Sequence, residues 1–465
     1  TRQTSIDAGR DIVFRSIAYV QNNADDNLSS FRAGRDIVSP SVRNVTNGLA
    51  SNNAELQVGG PGYGEFFAGR NIDLGNSAGI SSYGNLKNQA LPTGGATLSV
   101  AAGLGQDGDG HVRDPDYAGF AARYLAPGSA ALADYKAPAD FSSLSQAQQA
   151  LLVFNNELLI GASEGQAGKG YDRAYDAIAT LFPSQDAAGA PLAYQGDVNL
   201  VFSRISTQQT GDIQLLMPGG SLNVGLANPP PSLADNKAPS DLGIMSFAGG
   251  NILAMARDDI QVNQSRVLTV AGGDILLWST LGNVDAGKGK KTATAAPPPQ
   301  VTYDASGNPT LNVQGTVSGS GIGTLKTNPN IPDGNVVLAA PSGVVDAGDA
   351  GIRSSGNLLI AAQQVLNSGN IQVGGNVVGA PASSSGLGAG LSGLGNLSPN
   401  GQSAEEANRS MRDGSANSAE QMQKVQEALA NFKPSLISVE VLGFGEGAGR
   451  CPDGDTACAK KKGGS

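Results

Sequence analysis

Two cysteines, Cys451 and Cys458, have the spacing that most clearly suggests chemistry, and they are the only cysteines in the chain. Between them lies Pro-Asp-Gly-Asp (452–455), a strong turn sequence that would bring the two sulfurs together. Closing so small a ring stabilises a chain by about 2–3 kcal/mol, and the ring is too bulky to be pulled through a narrow pore. The spacing excludes a Cys-x-x-Cys redox motif, and a metal site would have only carboxylates as further ligands nearby. We predict a disulfide loop here, and the sequence leaves two free thiols as the alternative.

The single histidine, His111, lies in a segment (107–116) that also holds four aspartates, and such a cluster could bind calcium. The segment lacks the Asp-x-Asp-x-Asp-Gly order and the closing Glu of a hand-type calcium loop, so we predict a solvated acidic loop. One histidine and two cysteines also exclude a zinc or haem site that depends on several of these ligands. The sequence therefore predicts no metal and no cofactor.

Three segments hold neighbouring aspartates, namely 25–26, 258–259 and 346–349. Two carboxylates can share the acid and base roles of glycoside cleavage, and exported polysaccharide hydrolases and lyases use such clusters. None of the three segments comes with the Arg, Lys or His residues that such a cleft needs, and aromatic residues make up only 5% of the chain. The primary prediction is a protein that is not an enzyme, and an exported β-helix polysaccharide hydrolase or lyase is the alternative.

The composition indicates an elongated β-protein. Among 465 residues, 65 are Gly, about twice the usual share, and only 15% are charged. The net charge of −10 argues against a nucleic-acid partner, which would require a basic stripe. No apolar run is long enough for a transmembrane helix, so we expect any association with a membrane to go through a partner. Because the chain starts at Thr1 without a Met or a signal-like segment, we expect a C-terminal piece of a longer protein.

A short sequence unit recurs along most of the chain. Ala-Gly-Arg-Asp-Ile begins at Ala8 and Ala33, and a variant with Asn in place of Asp begins at Ala68. A shorter unit, Gly followed by Asp or Asn and then Ile, Val or Leu, begins at Gly196, Gly211, Gly250, Gly273, Gly282, Gly334, Gly356, Gly369 and Gly375. We predict that the arginines of the longer units form a solvated ladder, each paired with a neighbouring Asp.

Each unit is typical of a turn that opens a short strand. Gly accepts positive φ, Asn or Asp bonds its own backbone, and the β-branched residue starts a strand of about 3–5 residues. Such short strands are stable only when equivalent strands stack above and below, which aligns their apolar side chains in one interior column. We therefore predict an all-β fold: a right-handed parallel β-helix (solenoid) with a helical insertion and a small C-terminal helix/strand anchor region.

The pattern divides the chain into five regions. These are β-helix coils at 1–106, a helical insertion at 107–186, β-helix coils at 187–378, a flexible linker at 379–401 and a C-terminal anchor region at 402–465. Apolar residues at helical spacing predict helices at Tyr117–Tyr124, Ser145–Ile160 and Tyr171–Phe182. The insertion is interpreted as a lid over an exposed apolar patch, with a receptor-binding protrusion as the alternative.

Two further features follow the coils. The linker carries no charge, and its small or polar residues include Gly379, Ser385, Gly390 and Gly401. Residues 404–432 predict a helix with a narrow apolar stripe, which includes Met422, Leu429 and Phe432, and residues 436–442 alternate as a strand.

The repeats over roughly residues 1–380, together with the closing Cys451–Cys458 segment, resemble the filamentous haemagglutinin family, the large exoproteins of two-partner secretion in Gram-negative bacteria. The resemblance implies a secreted filamentous adhesin, tethered to the cell surface and without catalytic chemistry. The end of the chain is similar to that of the high-molecular-weight adhesins. In these, a terminal cysteine pair forms a disulfide loop that stays in the periplasm and holds the exoprotein in its outer-membrane transporter barrel. The helical insertion departs from the family pattern, as does the lack of an N-terminal secretion domain.

The implied partners are the transporter barrel and a surface receptor, glycan or protein, on a host or bacterial cell. In that arrangement the linker threads the barrel, since 23 residues at about 3.3 Å each reach roughly 75 Å and a bilayer with headgroups is about 40–45 Å thick. Met422, Leu429 and Phe432 then belong to a periplasmic stopper. A stalk that delivers a toxin is disfavoured, because nothing resembling a toxin follows residue 400.

Overall fold

Most of the described strands lie in two long parallel sheets that enclose one apolar interior. The computed structural model describes residues 4–40, 43–44, 48–49, 53–85, 90–137, 140–228, 237, 242–289, 300–303, 309–312, 319–326 and 330–380. Within these residues, one sheet has 17 strands and the other has nine.

The longer strands of the first sheet form what we call the long-strand face. Each pairs in parallel with the equivalent strand of the next coil. These strands are β1 (Thr4–Ala8), β4 (Leu28–Ala33), β9 (Tyr63–Ala68), β12 (Thr97–Ala101), β15 (Ile213–Met217), β18 (Ile252–Ala256), β21 (Ile275–Ser279), the first parts of β26 (Val336–Asp346) and β28 (Leu358–Leu366), and β30 (Val377–Val378).

After a bend, the chain enters a second strand of each coil, and these strands form the short-strand face. They also pair in parallel from coil to coil. The strands are β2 (Ile12–Val13), β5 (Ile37–Val38), β10 (Ile72–Asp73), β13 (Val198–Asn199), β16 (Leu222–Asn223), β19 (Ile260–Gln261), β22 (Val284–Asp285) and the last parts of β26 and β28.

The second sheet closes each coil. Its strands are β3 (Ile17–Gln21), β8 (Glu55–Gly59), β11 (Gly79–Gly84), β14 (Arg204–Thr207), β17 (Gly243–Ser246), β20 (Arg266–Thr269), β25 (Gly321–Thr324), β27 (Ile352–Ser354) and β29 (Ile371–Val373). Two antiparallel hairpins interrupt the coils: β6 (Arg43–Asn44) with β7 (Gly48–Leu49), and β23 (Gln300–Tyr303) with β24 (Pro309–Asn312).

Parallel stacking brings equivalent residues of successive coils into line. Phe31 lies opposite Phe66, and Phe66 lies opposite Val100, so all three point into the interior. The rings of Phe31 and Phe66 are stacked, with their centroids 5.1 Å apart. Burying a side chain of this size stabilises the fold by about 1.5–3 kcal/mol, and each coil adds several such side chains. This stack confirms the predicted parallel β-helix.

The Gly-Asp/Asn units match the prediction only in part. Gly211 and Gly273 have the predicted positive φ, at +115° and +88°. Gly250 has no positive φ, but a Cβ there would lie 1.9 Å from the carbonyl oxygen of Gly211 on the preceding coil. Its neighbour Asn251 does not bond its own turn: its Oδ1 accepts the backbone N–H of Asp274, on the next coil, at 2.8 Å. The unit is therefore a contact between coils, where Gly permits close approach and the amide or carboxylate links one coil to the next.

The four described α-helices lie between β12 and β13, so the insertion leaves one coil and returns to it. They are α1 (Tyr117–Tyr124), α2 (Ala130–Tyr135), α3 (Gln146–Gln166) and α4 (Asp172–Leu181). The predicted helices at 117–124 and 171–182 are confirmed, and Ser145, the first residue of the third predicted helix, is the N-cap of α3. The helix α2 was not predicted.

Helix α3 continues six residues beyond the predicted end at Ile160. Gly161 and Gly165 suggest a helix end in the sequence, because Gly costs a helix about 1 kcal/mol. In the structure they let α4 approach: a Cβ on Gly161 would lie 2.5 Å from the Cβ of Ala174, and one on Gly165 would lie 2.0 Å from the ring of Tyr171.

Candidate functional site

The predicted anchoring residues fall almost entirely outside the described residues. Gly379 is described, with φ +85°, and a Cβ there would lie 1.8 Å from the carbonyl oxygen of Ile360 and 2.8 Å from Oε1 of Gln166. It therefore packs against the last coils and the end of α3. The remaining predicted residues lie outside the described part of the chain: Ser385, Gly390, Gly401, Met422, Leu429, Phe432, Cys451 and Cys458.

The acidic loop around His111 is held together by its own hydrogen bonds. Asp107 Oδ1 accepts the backbone N–H groups of Asp109 and His111, each at 2.9 Å. His111 Nδ1 lies 2.8 Å from Asp7 Oδ1, and this contact raises the pKa of the imidazole. Across the described residues, no group of three or more His, Cys, Asp or Glu side chains is placed to hold a metal ion.

The neighbouring aspartates that could have served an enzyme take part in turns and links between coils. Asp259 Oδ1 accepts the backbone and side-chain N–H groups of Asn283, and Asp346 Oδ1 accepts the N–H of Gly348. Two links of the predicted arginine ladder are confirmed: Arg35 pairs with Asp11 at 2.7 Å, and Arg70 pairs with Asp36. These carboxylates therefore have structural partners.

The coils also carry an apolar surface on the outside of the long-strand face. The strand register aligns a column of outward residues, all fully buried: Phe67, Ala101, Leu216, Met255, Trp278, Ala339 and Ala361. A second column beside it contains Leu253, Leu276, Val337, Leu359 and Val378. We call these two columns the outer apolar face.

The four helices cover the outer apolar face. Phe154 and Leu158 of α3 are fully buried in one cluster with it, and Trp278 meets the rings of Tyr171 and Tyr175 at centroid distances of 6.1 Å each. A helix of 21 residues is about 31 Å long, which matches roughly six coils at about 4.8 Å each. The helices therefore cover the outer apolar face, in agreement with the interpretation of the insertion as a lid over an apolar patch. We call α1 to α4 the cover.

A buried ion pair fastens the helices to one another. Arg173 of α4 donates from Nε and Nη2 to the carboxylate of Glu157 on α3, at 2.6 and 2.7 Å, and also pairs with Asp134 of α2 at 2.7 Å. The side chain of Glu157 is only 2% exposed. The three helices are thus linked by one group of ion-paired side chains, Arg173, Glu157 and Asp134, which we call the joint.

A second charged cluster lies where the insertion leaves the coils. Arg32 is 2.7 Å from Asp114 and 3.5 Å from Glu65, and its guanidinium lies over the ring of Phe67. Burial raises the pKa of Glu65 to about 7, against the opposing effect of Arg32. Tyr117 of α1 is half-buried, and its hydroxyl group is buried near these charges.

A small cavity of about 30 Å³ lies between α3 and the coils, lined by Asn155, Asp212, Asn251 and Asp274 among others. Asp212 Oδ1 accepts the N–H of Asn251 at 2.7 Å, and Asp274 Oδ1 accepts the N–H of Asn335 at 2.6 Å. Burial raises the pKa of Asp212 and raises that of Asp274 to about 7.

Sequence reasoning predicted an apolar patch under the insertion but did not locate the outer apolar face, although a signal for it exists. The segments 275–278 and 336–340 are apolar at every position, and such runs are typical of strands buried on both faces. The joint around Arg173 and the cavity beside Asn155 have no comparable signal, because they depend on how the helices dock.

Comparison with known proteins supports the resemblance drawn from the repeats. Residues 272–382 match a family model described as filamentous haemagglutinin family outer membrane protein, which confirms the resemblance over that range. The matched residues include β21, β26, β28 and β30 of the long-strand face. Neither the curated proteins nor the solved structures gave a match. Within the described residues, no helix combines the length and the apolar character needed to cross a bilayer.

Proposed function

We propose that this chain is part of a secreted, cell-surface-tethered filamentous adhesin that is exported by two-partner secretion from a Gram-negative bacterium. The observation that carries the proposal is the family match over residues 272–382, which falls on the last coils of a parallel β-helix. A stacked β-helix is an extended rod with a long lateral surface, as a filamentous surface protein requires. Its receptor would be a glycan or a protein on a host or bacterial cell.

The proposal includes retention of the chain by its outer-membrane transporter. The uncharged segment 379–401 begins directly after β30 and is long enough to thread a barrel. Beyond it, the stripe with Met422, Leu429 and Phe432 and the Cys451–Cys458 ring would stay in the periplasm as a stopper. These elements rest on the sequence and on the resemblance.

The test of this proposal removes the ring in the full-length exoprotein, expressed with its transporter. Cys451→Ser and Cys458→Ser should each move most of the protein from the cells to the medium, because an open chain end can follow the rest outward. The measurement is the cell-bound fraction by immunoblot. Alkylation of thiols with and without reductant, followed by mass measurement, reports whether the ring is closed in the unmodified protein.

Ala457→Ser is the matched control, since it adds the same hydroxyl within the ring and keeps both cysteines. It should leave the cell-bound fraction unchanged. If the cysteine variants also stay bound to the cells, or if both thiols alkylate without reductant, the retention proposal is wrong.

A further inference from the structure

One arginine lies between two carboxylates at the point where the helical insertion leaves the coils. Arg32 of β4 donates from Nη2 to Oδ1 of Asp114 at 2.7 Å, and its Nη1 lies 3.5 Å from Oε2 of Glu65 on β9. Its Nη2 also donates to the carbonyl oxygen of Val112 at 3.3 Å. Arg32 therefore fastens residues 112–114, which we call the root of the insertion, to the coils, while its contact with Glu65 is long for a hydrogen bond.

The two carboxylates differ in how well water can solvate them. The side chain of Asp114 is 58% exposed, whereas that of Glu65 is 16% exposed. Water can stabilise a charge on Asp114, but an ionised Glu65 needs a protein partner, because a buried charge without one is costly. Burial raises the pKa of Glu65 to about 7, so this carboxyl is neutral in mildly acidic solution and ionises as the pH rises above neutrality.

The groups around Glu65 leave Arg32 as its charged partner. In the sheet, Glu65 lies between Ser30 of β4 and Ser99 of β12, which carry no charge. From the insertion, the charge of Asp114 opposes the ionisation of Glu65, whereas Arg32 favours it. An ionised Glu65 therefore competes with Asp114 for the same guanidinium.

Three further titratable groups lie nearby, and none of them replaces Arg32. The hydroxyl of Tyr117 on α1 is buried and has no hydrogen-bond partner among the described residues, but a neutral phenol cannot neutralise a carboxylate. Asp7 of β1 acts on Arg32 from the first coil, and its Oδ1 lies 2.8 Å from Nδ1 of His111. Asp7 thus has a partner of its own in His111.

We propose that Arg32 is a pH-dependent link, which holds the root of the insertion through Asp114 while Glu65 is protonated and turns to Glu65 once that carboxylate is ionised. A guanidinium and a carboxylate can then form a charge-assisted pair with two hydrogen bonds. Asp114 and the carbonyl of Val112 lose their donor and are solvated by water. The root and the first turn of α1 should therefore open more readily above neutral pH, while the coils stay folded.

The experiment measures amide hydrogen exchange by mass spectrometry in the purified full chain and in Glu65→Gln, which cannot ionise at this position. At pH 8 the root should exchange about tenfold faster in the unmodified chain than in the variant, as one pKa unit of coupling between ionisation and opening would give. At pH 5 the two proteins should exchange alike. Strand β28 should stay protected while the root exchanges, because the opening is local.

Asp114→Asn tests the exchange of partners itself. It removes the carboxylate that holds Arg32 at the root, so the root should exchange about threefold faster than in the unmodified chain already at pH 5. Glu164→Gln is the matched control, since it makes the same replacement on α3, at a glutamate that does not pair with Arg32. It should exchange like the unmodified chain at both pH values.

Three results would overturn the proposal: equal exchange of the root in the unmodified chain and in Glu65→Gln at pH 8, exchange of β28 together with the root, or unchanged exchange in Asp114→Asn at pH 5. Tyr117→Phe should keep the difference between pH 5 and pH 8 relative to its own Glu65→Gln double variant. Loss of that difference would assign the response to the phenol, and the proposed role of Arg32 would be wrong.

Discussion

Gly250 marks a point where the coils come too close for any side chain. The contact between this residue and the carbonyl of Gly211 recurs between Gly196 and the carbonyl of Arg70. Gly250→Ala must push two coils apart, and we expect it to lower the free energy of unfolding by about 1–3 kcal/mol, as other overpacked sites do. Chemical denaturation measures the change.

Gly108→Ala is the control for that substitution, because a Cβ on Gly108 would meet no atom within 4 Å. It should alter the stability by less than about 0.5 kcal/mol. If the two variants lose equal amounts of unfolding free energy, backbone freedom rather than the spacing of the coils explains the glycine at position 250.

Glu65 should make the stability of the protein depend on pH. Burial raises its folded pKa from 4.5 to about 7, so the folded state binds the proton more tightly than the unfolded state. Stability from this group is fully present below pH 4.5 and is lost as the pH rises through about 7. The free energy of unfolding should therefore be lower at pH 8 than at pH 5, and Glu65 should account for on the order of 2 kcal/mol of the difference.

Glu65→Gln should remove the part of that dependence that comes from Glu65, while Asp274, whose pKa is also raised to about 7, keeps its own part. The variant should be the more stable protein at pH 8, because the amide needs no proton. Arg32 keeps Asp114 as a partner in the variant, at 2.7 Å. Asp176→Asn, at an exposed carboxylate, should keep the slope of the unmodified protein. An unchanged slope in Glu65→Gln would contradict the assignment.

Among the helices, two arginines allow a comparison between a buried and an exposed ion pair. Arg173→Ala leaves the carboxylate of Glu157 buried without a partner, and we expect a loss of about 3–5 kcal/mol. Arg123→Ala breaks an exposed pair with Asp176 and should cost less than about 1 kcal/mol. Thermal melting of both variants checks the difference, and similar losses would contradict the role of the joint.

The elements of this fold differ in how far the sequence predicts them. The strands at Ile252 and Ile275 are marked in the sequence by the Gly-Asn and Gly-Asp units before them, and Ser145 with Gln148 forms a capping box at the start of α3. The end of α3 could not be predicted, because Gly161 is favourable only once α4 lies against it. The covered face beside Trp278 depends likewise on docking between distant segments.

At the scale of the whole molecule, the helices connect coils that otherwise contact only their neighbours. One buried cluster contains Phe67 of β9, Phe154 of α3 and Val378 of β30. A plain solenoid can unfold stepwise, because each coil depends only on the next. The cover couples distant coils, so we expect a single transition in urea, with Trp278 fluorescence and far-ultraviolet circular dichroism changing together.

Phe154→Ala should separate the two signals, because it opens a cavity between α3 and its neighbours at a cost of about 3–5 kcal/mol. Trp278 would then become exposed before the strands unfold. Lys169→Ala, at an exposed position, serves as the control and should keep the transitions together. Two separate transitions in the unmodified protein would contradict the coupling.

The reach of the cover also constrains the order in which the molecule can assemble. The helical segment precedes β13 to β30 in the chain, but its partners Leu216, Trp278 and Leu359 belong to strands that come later. Whichever end of the chain leaves a pore first, α3 cannot dock until the strands that precede it and the strands that follow it in the chain have formed. Docking of α3 is therefore a late step, which occurs only after the coils have formed. In a rod with a missing or misregistered coil, part of the outer apolar face would stay exposed.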